Sequence, residues 1–352
     1  KLKTYRDLPF LHNQWVNVFR NEKETRPFLR SREFLWQEGH TLHETKEEAM
    51  QETDRMLNVY KTFFEEYLAI PVISGKKTEK EKFAGAEYTL TIEALMHNGV
   101  CLQSATSHFF GNGFAKAFDI TYLSRENKRE YPYQTSWGST TRMIAALIMV
   151  HGDNKGLVLP PKIAPKQVVI IPIGKDDSVK EQANLLNERL NKIGVMSYVD
   201  DSEKSPGFRF AEAEVNGIPV RVEIGPRDLA NNEITLARRD KDEKITVSID
   251  VLEDKVTSLL EDIQNNLYNQ AKKRMESMTY TAKNMDEFKE IIENHPGFVK
   301  AMWCGSQECE EKIKEIRGCK SRCIPEEQEH ISDTCVCCGK EAKHMVYWGI
   351  QY

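Results

Sequence analysis

The chain has 352 residues, 40% hydrophobic and 29% charged, with a formal net charge of −5. That length leaves room for two or three domains, and the composition is that of a soluble globular protein. The acidic balance excludes a global pull toward nucleic acid, so any RNA contact has to come from local basic patches. No run of about 18 apolar residues occurs, so no membrane-spanning helix or membrane partner is expected.

The first segment, residues 1–162, mixes strand-like runs with one clear helix. Thr45 followed by Glu48 reads as a capping box. Beyond it Met56, Leu57, Tyr60, Phe63, Phe64, Tyr67 and Leu68 recur at helical spacing and are expected to face a core. Strands are expected at 88–92 and 100–103, and a second helix at 140–151 with Ile144, Leu147 and Ile148 on one face. The proline-rich stretch 160–165 breaks regular structure and reads as a linker.

A second segment, 163–275, opens with the apolar run 167–173, typical of a strand buried on both faces. A helix follows through Val179, Ala183, Leu186, Leu190 and Ile193, stopped by Gly194. Then come a strand at 197–199, a helix near 208–215, strands at 218–224, 233–238 and 244–249, and a helix from about Asp250. The alternation predicts a compact α/β domain with a mixed sheet.

The final segment, 276–352, shows weak periodicity and holds every cysteine except Cys101. One local cluster in a large chain indicates metal rather than disulfides. Cys304-x4-Cys309 and Cys335-x2-Cys338 can supply four thiolates to a closed, structural Zn2+ site. Cys337 can replace Cys335 or Cys338, and Cys319 with Cys323 forms a competing pair.

The densest chemical signal lies at 18–40. If Arg20 and Glu22 sit on a strand they share a face, and so do Arg30 and Phe34 on a return strand. Arginines can then hold phosphates, Glu22 can accept from an amino group, and Phe34 can stack on adenine. By composition alone, such an arginine-rich hairpin is more often a solvated surface. Arg20-x-Glu22 with Arg30-x-x-x-Phe34 resembles motif 2 of the class II aminoacyl-tRNA synthetases. Residues 28–40 are similar to the version found in the prolyl-tRNA synthetase family. Residues 138–142 resemble motif 3, whose arginine is Arg142 here, and the likeness to the prolyl family runs nearly end to end. Loops 81–87 and 103–108 resemble those lining that family's amino-acid pocket.

The resemblance implies α/β and α+β architecture in three domains. These are an antiparallel-sheet catalytic domain (1–162), an α/β anticodon-binding domain (163–275) and a small zinc-binding C-terminal domain (276–352). It implies a cytoplasmic homodimeric ligase that joins L-proline to tRNA(Pro) through a prolyl adenylate, using ATP and Mg2+. Arg20 and Arg142 are the implied catalytic groups. Arg20, Glu22, Arg30, Phe34, Gln103, Thr140 and Arg142 would bind ATP. Arg20, Trp36, Glu38, Phe83, Thr106 and His108 would form the proline pocket, with Thr106 and His108 supplying polar groups to the carboxylate and ring nitrogen. Magnesium is expected near Glu38 or Glu93. Glu214, Arg221 and Lys244 would read the anticodon, and Arg238, Arg239, Lys241 and Lys244 form a basic cluster suited to phosphates or a solvated turn.

The zinc tail ending in Tyr352 marks the eukaryote/archaeal-like branch of the family, without an inserted editing domain between motifs 2 and 3. The family's dimer motif 1 and its Thr/Glu-bearing pocket loop lie upstream of motif 2, and neither occurs before it in this sequence. The alternative is a synthetase-like tRNA-binding module without catalysis. A threonyl or histidyl enzyme, sharing the anticodon domain, is a third reading.

Overall fold

The computed structural model describes residues 2–352 and falls into two compact units. One comprises residues 2–64, 71–149 and 273–352, the other residues 65–70 and 150–272. No helix among the described residues is long and apolar enough to cross a membrane.

The first unit opens with a hairpin, β1 (Phe10–Phe19) and β2 (Glu33–His43), followed by α1 (Lys46–Thr62). Then come β3 (Ile73–Lys76), β4 (Tyr88–Leu95), β5 (Cys101–Gly111), the short α2 (Gly113–Ala117) and the two-residue pair β6 (Tyr122–Leu123) and β7 (Arg129–Glu130). β8 (Tyr133–Thr140) leads into α3 (Arg142–His151). Six of these strands form one antiparallel sheet in the order β1-β2-β8-β5-β4-β3.

Helix α1 lies across β4, β5 and β8 and buries Ala49, Leu57 and Tyr60. Thr45 caps it by accepting from the Glu48 N–H at 3.2 Å. Residues Phe63–Tyr67 form a π-helical turn, and the wider turn shifts the helical phase. Phe64 and Leu68 are therefore buried as expected, whereas Tyr67 is 44% exposed. β4 and β5 run longer than their apolar residues predict. Polar Thr106 and His108 alternate there with buried Ala105, Ser107 and Phe109, so the pattern of a half-lined cavity hides the strand.

The second unit contains β9 (Val168–Pro172), α4 (Asp177–Lys192), β10 (Ser197–Val199), α5 (Pro206–Val215), β11 (Val220–Ile224) and α6 (Pro226–Ala230). β12 (Glu233–Arg238), β13 (Lys244–Ser248) and α7 (Leu252–Ser277) follow. The sheet order is β10-β9-β11-β12-β13, parallel around β9 and antiparallel beyond β11, the mixed sheet predicted. All of β9 is buried, with Val168 and Ile170 packing on one face and Val169 and Ile171 on the other.

The C-terminal part of the first unit holds β14 (Thr279–Ala282), α8 (Met285–Asn294), β15 (Phe298–Trp303), α9 (Gln307–Glu315), β16 (Cys319–Cys323) and β17 (His344–Ile350). They form a four-stranded sheet, β14-β15-β17-β16, around Phe288, Val299, Trp303 and Trp348. Immediately after β16, Ile324 pairs with Lys76 on the edge of the six-stranded sheet through two 2.8 Å backbone bonds. Gly75 makes room, since a Cβ there would stand 2.4 Å from the Ile324 carbonyl oxygen.

A buried ionic cluster clasps the same seam. Lys77 Nζ donates to Glu93 Oε1 at 2.7 Å and to the Arg322 carbonyl at 2.8 Å. Arg322 grips Glu93 Oε2 through Nη2 at 2.6 Å and Nε at 3.0 Å. All three side chains are at most 3% exposed. Burial opposes the Glu93 charge, but Arg322 and Lys77 outweigh it and hold the carboxyl below its ordinary range. Removing one partner of such a pair leaves uncompensated buried charge, at a cost of about 3–5 kcal/mol. Glu93→Gln is predicted to lower the unfolding free energy by about that amount, measured by urea denaturation.

Candidate active site and accessory sites

One cavity of about 390 Å3 opens on the six-stranded sheet. It gathers Arg20, Glu22, Arg30, Phe34, Trp36, Glu38, Phe83, Gln103, Thr106, His108, Thr140 and Arg142, every residue assigned to the ATP and proline sites from sequence. The register explains the convergence. Trp36 lies opposite Thr140 on β8, Thr106 on β5 lies opposite Gly138, and Thr89 on β4 lies opposite His108. Alternation along each strand then turns these side chains to one face.

The local geometry differs from the strand reading in two places. β1 ends at Phe19 and β2 begins at Glu33, so Arg20, Glu22 and Arg30 lie on the connecting segment. Their common direction comes from contacts instead. The Arg20 N–H bonds the Arg32 carbonyl at 2.7 Å, its guanidinium stands 5.2 Å from the Phe34 ring, and Arg30 pairs with Glu22 at 3.4 Å. Glu93 is the second difference: it lies in the buried clasp with both oxygens engaged and does not line the cavity, which removes it as a neighbour for magnesium. Glu38 does line it, bonded to Gln14 at 3.0 Å and His40 at 3.1 Å.

Arg142 opens α3, and its guanidinium donates to the Leu29 carbonyl at 3.2 Å and the Gln103 carbonyl at 3.4 Å. Burial lowers its pKa, and nearby Arg20 and Arg30 act in the same direction. Three guanidiniums sharing one cavity suit a polyanion. The Tyr352 ring lies 5.2 Å from the Arg142 guanidinium, and Arg322 holds neighbouring Gln351 at 2.9 Å. No local pattern pointed to this contact, because the chain end after β17 delivers Tyr352 to the Arg142 guanidinium from the C-terminal sheet.

At the other end of the cavity Phe83, His108 and Phe110 form an aromatic wall, with centroid separations of 5.0 to 6.0 Å. Burial, and more weakly His40, pulls the His108 pKa down to about 4. Both His108 nitrogens are engaged, Nδ1 with Thr89 Oγ1 at 2.9 Å and Nε2 with Thr106 Oγ1 at 3.0 Å. The ring therefore offers a face rather than a free polar atom, unlike the role expected for it. Trp36 Nε1 is buried with no hydrogen-bond partner among the described residues.

In the second unit a smaller cavity of about 120 Å3 is lined by Glu214, Arg221 and Lys244. Glu223, which sequence reading passed over, bonds Arg221 at 2.9 Å and Lys244 at 2.8 Å. The Arg221 guanidinium lies 4.4 Å from the Phe210 ring. The i, i+2 spacing of Arg221 and Glu223 on a strand was the available signal. Within the basic cluster the two arginines are already paired with carboxylates. Arg238 is held by Asp240 at 2.7 Å and by Asp262, and Arg239 by both oxygens of Asp153.

The Sγ atoms of Cys304, Cys309, Cys335 and Cys338 all lie within 4.8 Å of one another. Cys304 stands 3.7 Å from both Cys309 and Cys338. A tetrahedral ion with sulfur bonds of about 2.3 Å needs sulfur separations of about 3.8 Å, so the donor set fits one, whereas a disulfide needs about 2.05 Å. The Lys340 backbone N–H helps pull the Cys338 thiol down to about 7, toward the thiolate a metal requires. Cys337 lies outside the group, and Cys319 and Cys323 are buried in β16.

Residues 1–151 match the family described as "tRNA synthetase class II core domain (G, H, P, S and T)". Residues 167–259 match "Anticodon binding domain", and 285–352 match "Prolyl-tRNA synthetase, C-terminal". Fold and cavity thus define a class II aminoacyl-tRNA synthetase. The chain is 60% identical over its whole length to a protein named "Proline--tRNA ligase" in Lachnospira eligens, covering 74% of that relative. Proteins of the same name in Lachnoclostridium phytofermentans and Clostridium novyi are 59% and 57% identical, each with 73% covered. This chain belongs to the prolyl-tRNA synthetase family.

For the cysteine site, Cys338→Ser is predicted to lose the bound ion and Cys337→Ser to keep it, as read by elemental analysis per chain.

Proposed function

We propose that this chain attaches L-proline to tRNA(Pro) in two steps, through a prolyl adenylate made from ATP. The observation that carries the reading is the composition of one cavity: Arg20, Arg30 and Arg142 at one end, and the aromatic wall of Phe83, His108 and Phe110 at the other. A polyphosphate fits the first, and a small ring of methylenes fits the second.

The first step needs no general base. The proline carboxylate is already a nucleophile and attacks the α-phosphorus in line, forming the mixed anhydride as the bond to the β-phosphate oxygen breaks and pyrophosphate leaves. The protein's contribution is then alignment and charge neutralisation. Arg20, braced on Phe34 and Trp36, spans the carboxylate and α-phosphate. Arg30 and Arg142 face the terminal phosphates, Phe34 and Glu22 the adenine, and Gln103 and Thr140 the ribose or phosphates. Magnesium adds positive charge along the polyphosphate, with Glu38 as its candidate neighbour. In the second step the terminal ribose hydroxyl of the tRNA attacks the prolyl carbonyl and AMP leaves.

Glu214, Arg221, Lys244 and the added Glu223 and Phe210 suit a guanine-rich anticodon, through hydrogen bonds to base edges and stacking. Zinc is the ion that the four-cysteine group suits best, one per chain in a closed structural site. The enzyme is read as a cytoplasmic homodimer.

Proline-dependent ATP–pyrophosphate exchange tests the reading, and absence of exchange, or equal exchange with threonine, sinks it. Arg142→Ala is expected to lower exchange by about 100- to 1,000-fold with tRNA affinity kept. Arg221→Ala is expected to do the reverse, weakening charging by about 10- to 100-fold while exchange persists.

A further inference from the structure

The aromatic end of the cavity contains a hydrogen-bonded chain whose direction can be worked out. Thr89 and His108 face each other across β4 and β5, and Thr106 lies two residues from His108 on the same strand face. Their side chains form a continuous line, Thr89 Oγ1 to Nδ1 at 2.9 Å and Nε2 to Thr106 Oγ1 at 3.0 Å.

Thr89 is only 2% exposed, and its oxygen accepts from the Phe83 backbone N–H at 3.0 Å. Its hydroxyl proton must find an acceptor inside the protein, because a buried unsatisfied donor costs about 1–3 kcal/mol. Among the described residues the remaining hydrogen-bond partner of that oxygen is His108 Nδ1. Nδ1 then accepts and carries no proton. A neutral imidazole has one N–H, so the proton is on Nε2 and points at Thr106 Oγ1. The imidazolium, with protons on both nitrogens, would set a donor against the Thr89 donor. Burial and the facing His40 disfavour it as well.

We infer that the Thr89 hydroxyl holds His108 as the Nε2–H tautomer and thereby makes the Thr106 hydroxyl a donor directed at the carboxylate of the amino-acid substrate. Thr106 accepts from His108, which leaves its own proton for the cavity it lines. A donor there pairs with a carboxylate oxygen and repels the protonated ring nitrogen of proline. The orientation of the amino acid follows, with its carboxylate toward Thr106. Thr89 lines the cavity as well, but it is 2% exposed and its oxygen is taken up by the Phe83 N–H and His108. It is therefore a positioning residue that acts through His108. The substrate part of this inference rests on the proposed proline activation; the tautomer does not.

The test uses the full chain in two arms. Nitrogen-15 spectra of histidine-labelled protein, with His108 assigned by its loss in His108→Asn, should show the Nε2–H tautomer unchanged between about pH 6 and 8. An Nδ1–H tautomer, or protonation in that range, overturns the proposal whether or not proline is the substrate. In exchange assays Thr89→Val, which keeps the shape without the hydroxyl, should raise the KM for proline about tenfold and leave the KM for ATP within about twofold. Thr89→Ser should restore the wild-type value. An unchanged proline KM, an equal rise in both KM values, or failure of serine to rescue overturns it. If the unmodified protein activates no proline, the function reading fails, and the spectra alone decide the tautomer.

Discussion

The active end of this protein depends on one buried charge cluster. Glu93 sits on β4, inside the sheet beside its edge strand, with no exposed surface, and its two oxygens are shared between Lys77, directly after β3, and Arg322 on β16. A carboxylate in that position is tolerable only with both cations present, and neither cation is tolerable there without it. The cluster therefore fixes how the two sheets meet. Around it, Ile324 extends the edge of the catalytic sheet and Thr78 donates to Glu310 at 2.8 Å. The same junction sets the path of β17 and brings Tyr352 to the Arg142 guanidinium. Glu310 directly follows Cys309, so the four-cysteine group, the clasp and the cavity form one connected structure.

Within the cavity, function comes from what each strand face is asked to do. On β5, Ser107 turns inward and donates to the Thr53 carbonyl on α1 at 2.8 Å, while Thr106 and His108 turn to the cavity. The side that packs α1 is a core, and the side that binds is half polar and half aromatic. The cavity divides its chemistry in the same way: guanidiniums that repel one another await an anion, and neutral rings form a wall. Arg20 and Arg30 both disfavour the charge of Arg142, so the arginine end of the cavity suits an anion.

The second unit shows the opposite economy of charge. Arg238 and Arg239 look like an RNA-binding patch, yet each is neutralised by aspartates. Residues 240 to 242 alternate acid and base, and Asp153 is far away in sequence. Arg221 instead lies on Phe210, with Glu223 and Glu214 beside it and Lys244 on Glu223. Such a pocket favours specific hydrogen bonding over bulk attraction, in keeping with the net negative charge of the chain.

The sequence by itself determined everything carried by local pattern. Alternation and apolar runs gave β9 to β13 with α4, cysteine spacing pointed to the pairs that come together in one four-thiol group, and the resemblance carried by residues at 20–34 and 138–142 pointed to nucleotide chemistry. The first two rest on periodicity or spacing over a few residues, which chain geometry converts into shared faces and shared ligands. The third rested on resemblance to a family, since Arg20, Glu22 and Arg30 lie off the strands. Only the tertiary structure decided which of Cys335, Cys337 and Cys338 join the group, that Glu93 is structural, that Arg239 is spent on Asp153, and that His108 is saturated by Thr89 and Thr106. The physical reason is common to all four. A charge or a polar ring takes its role from the partner that satisfies it, and those partners arrive through strand pairing and domain packing from distant parts of the chain.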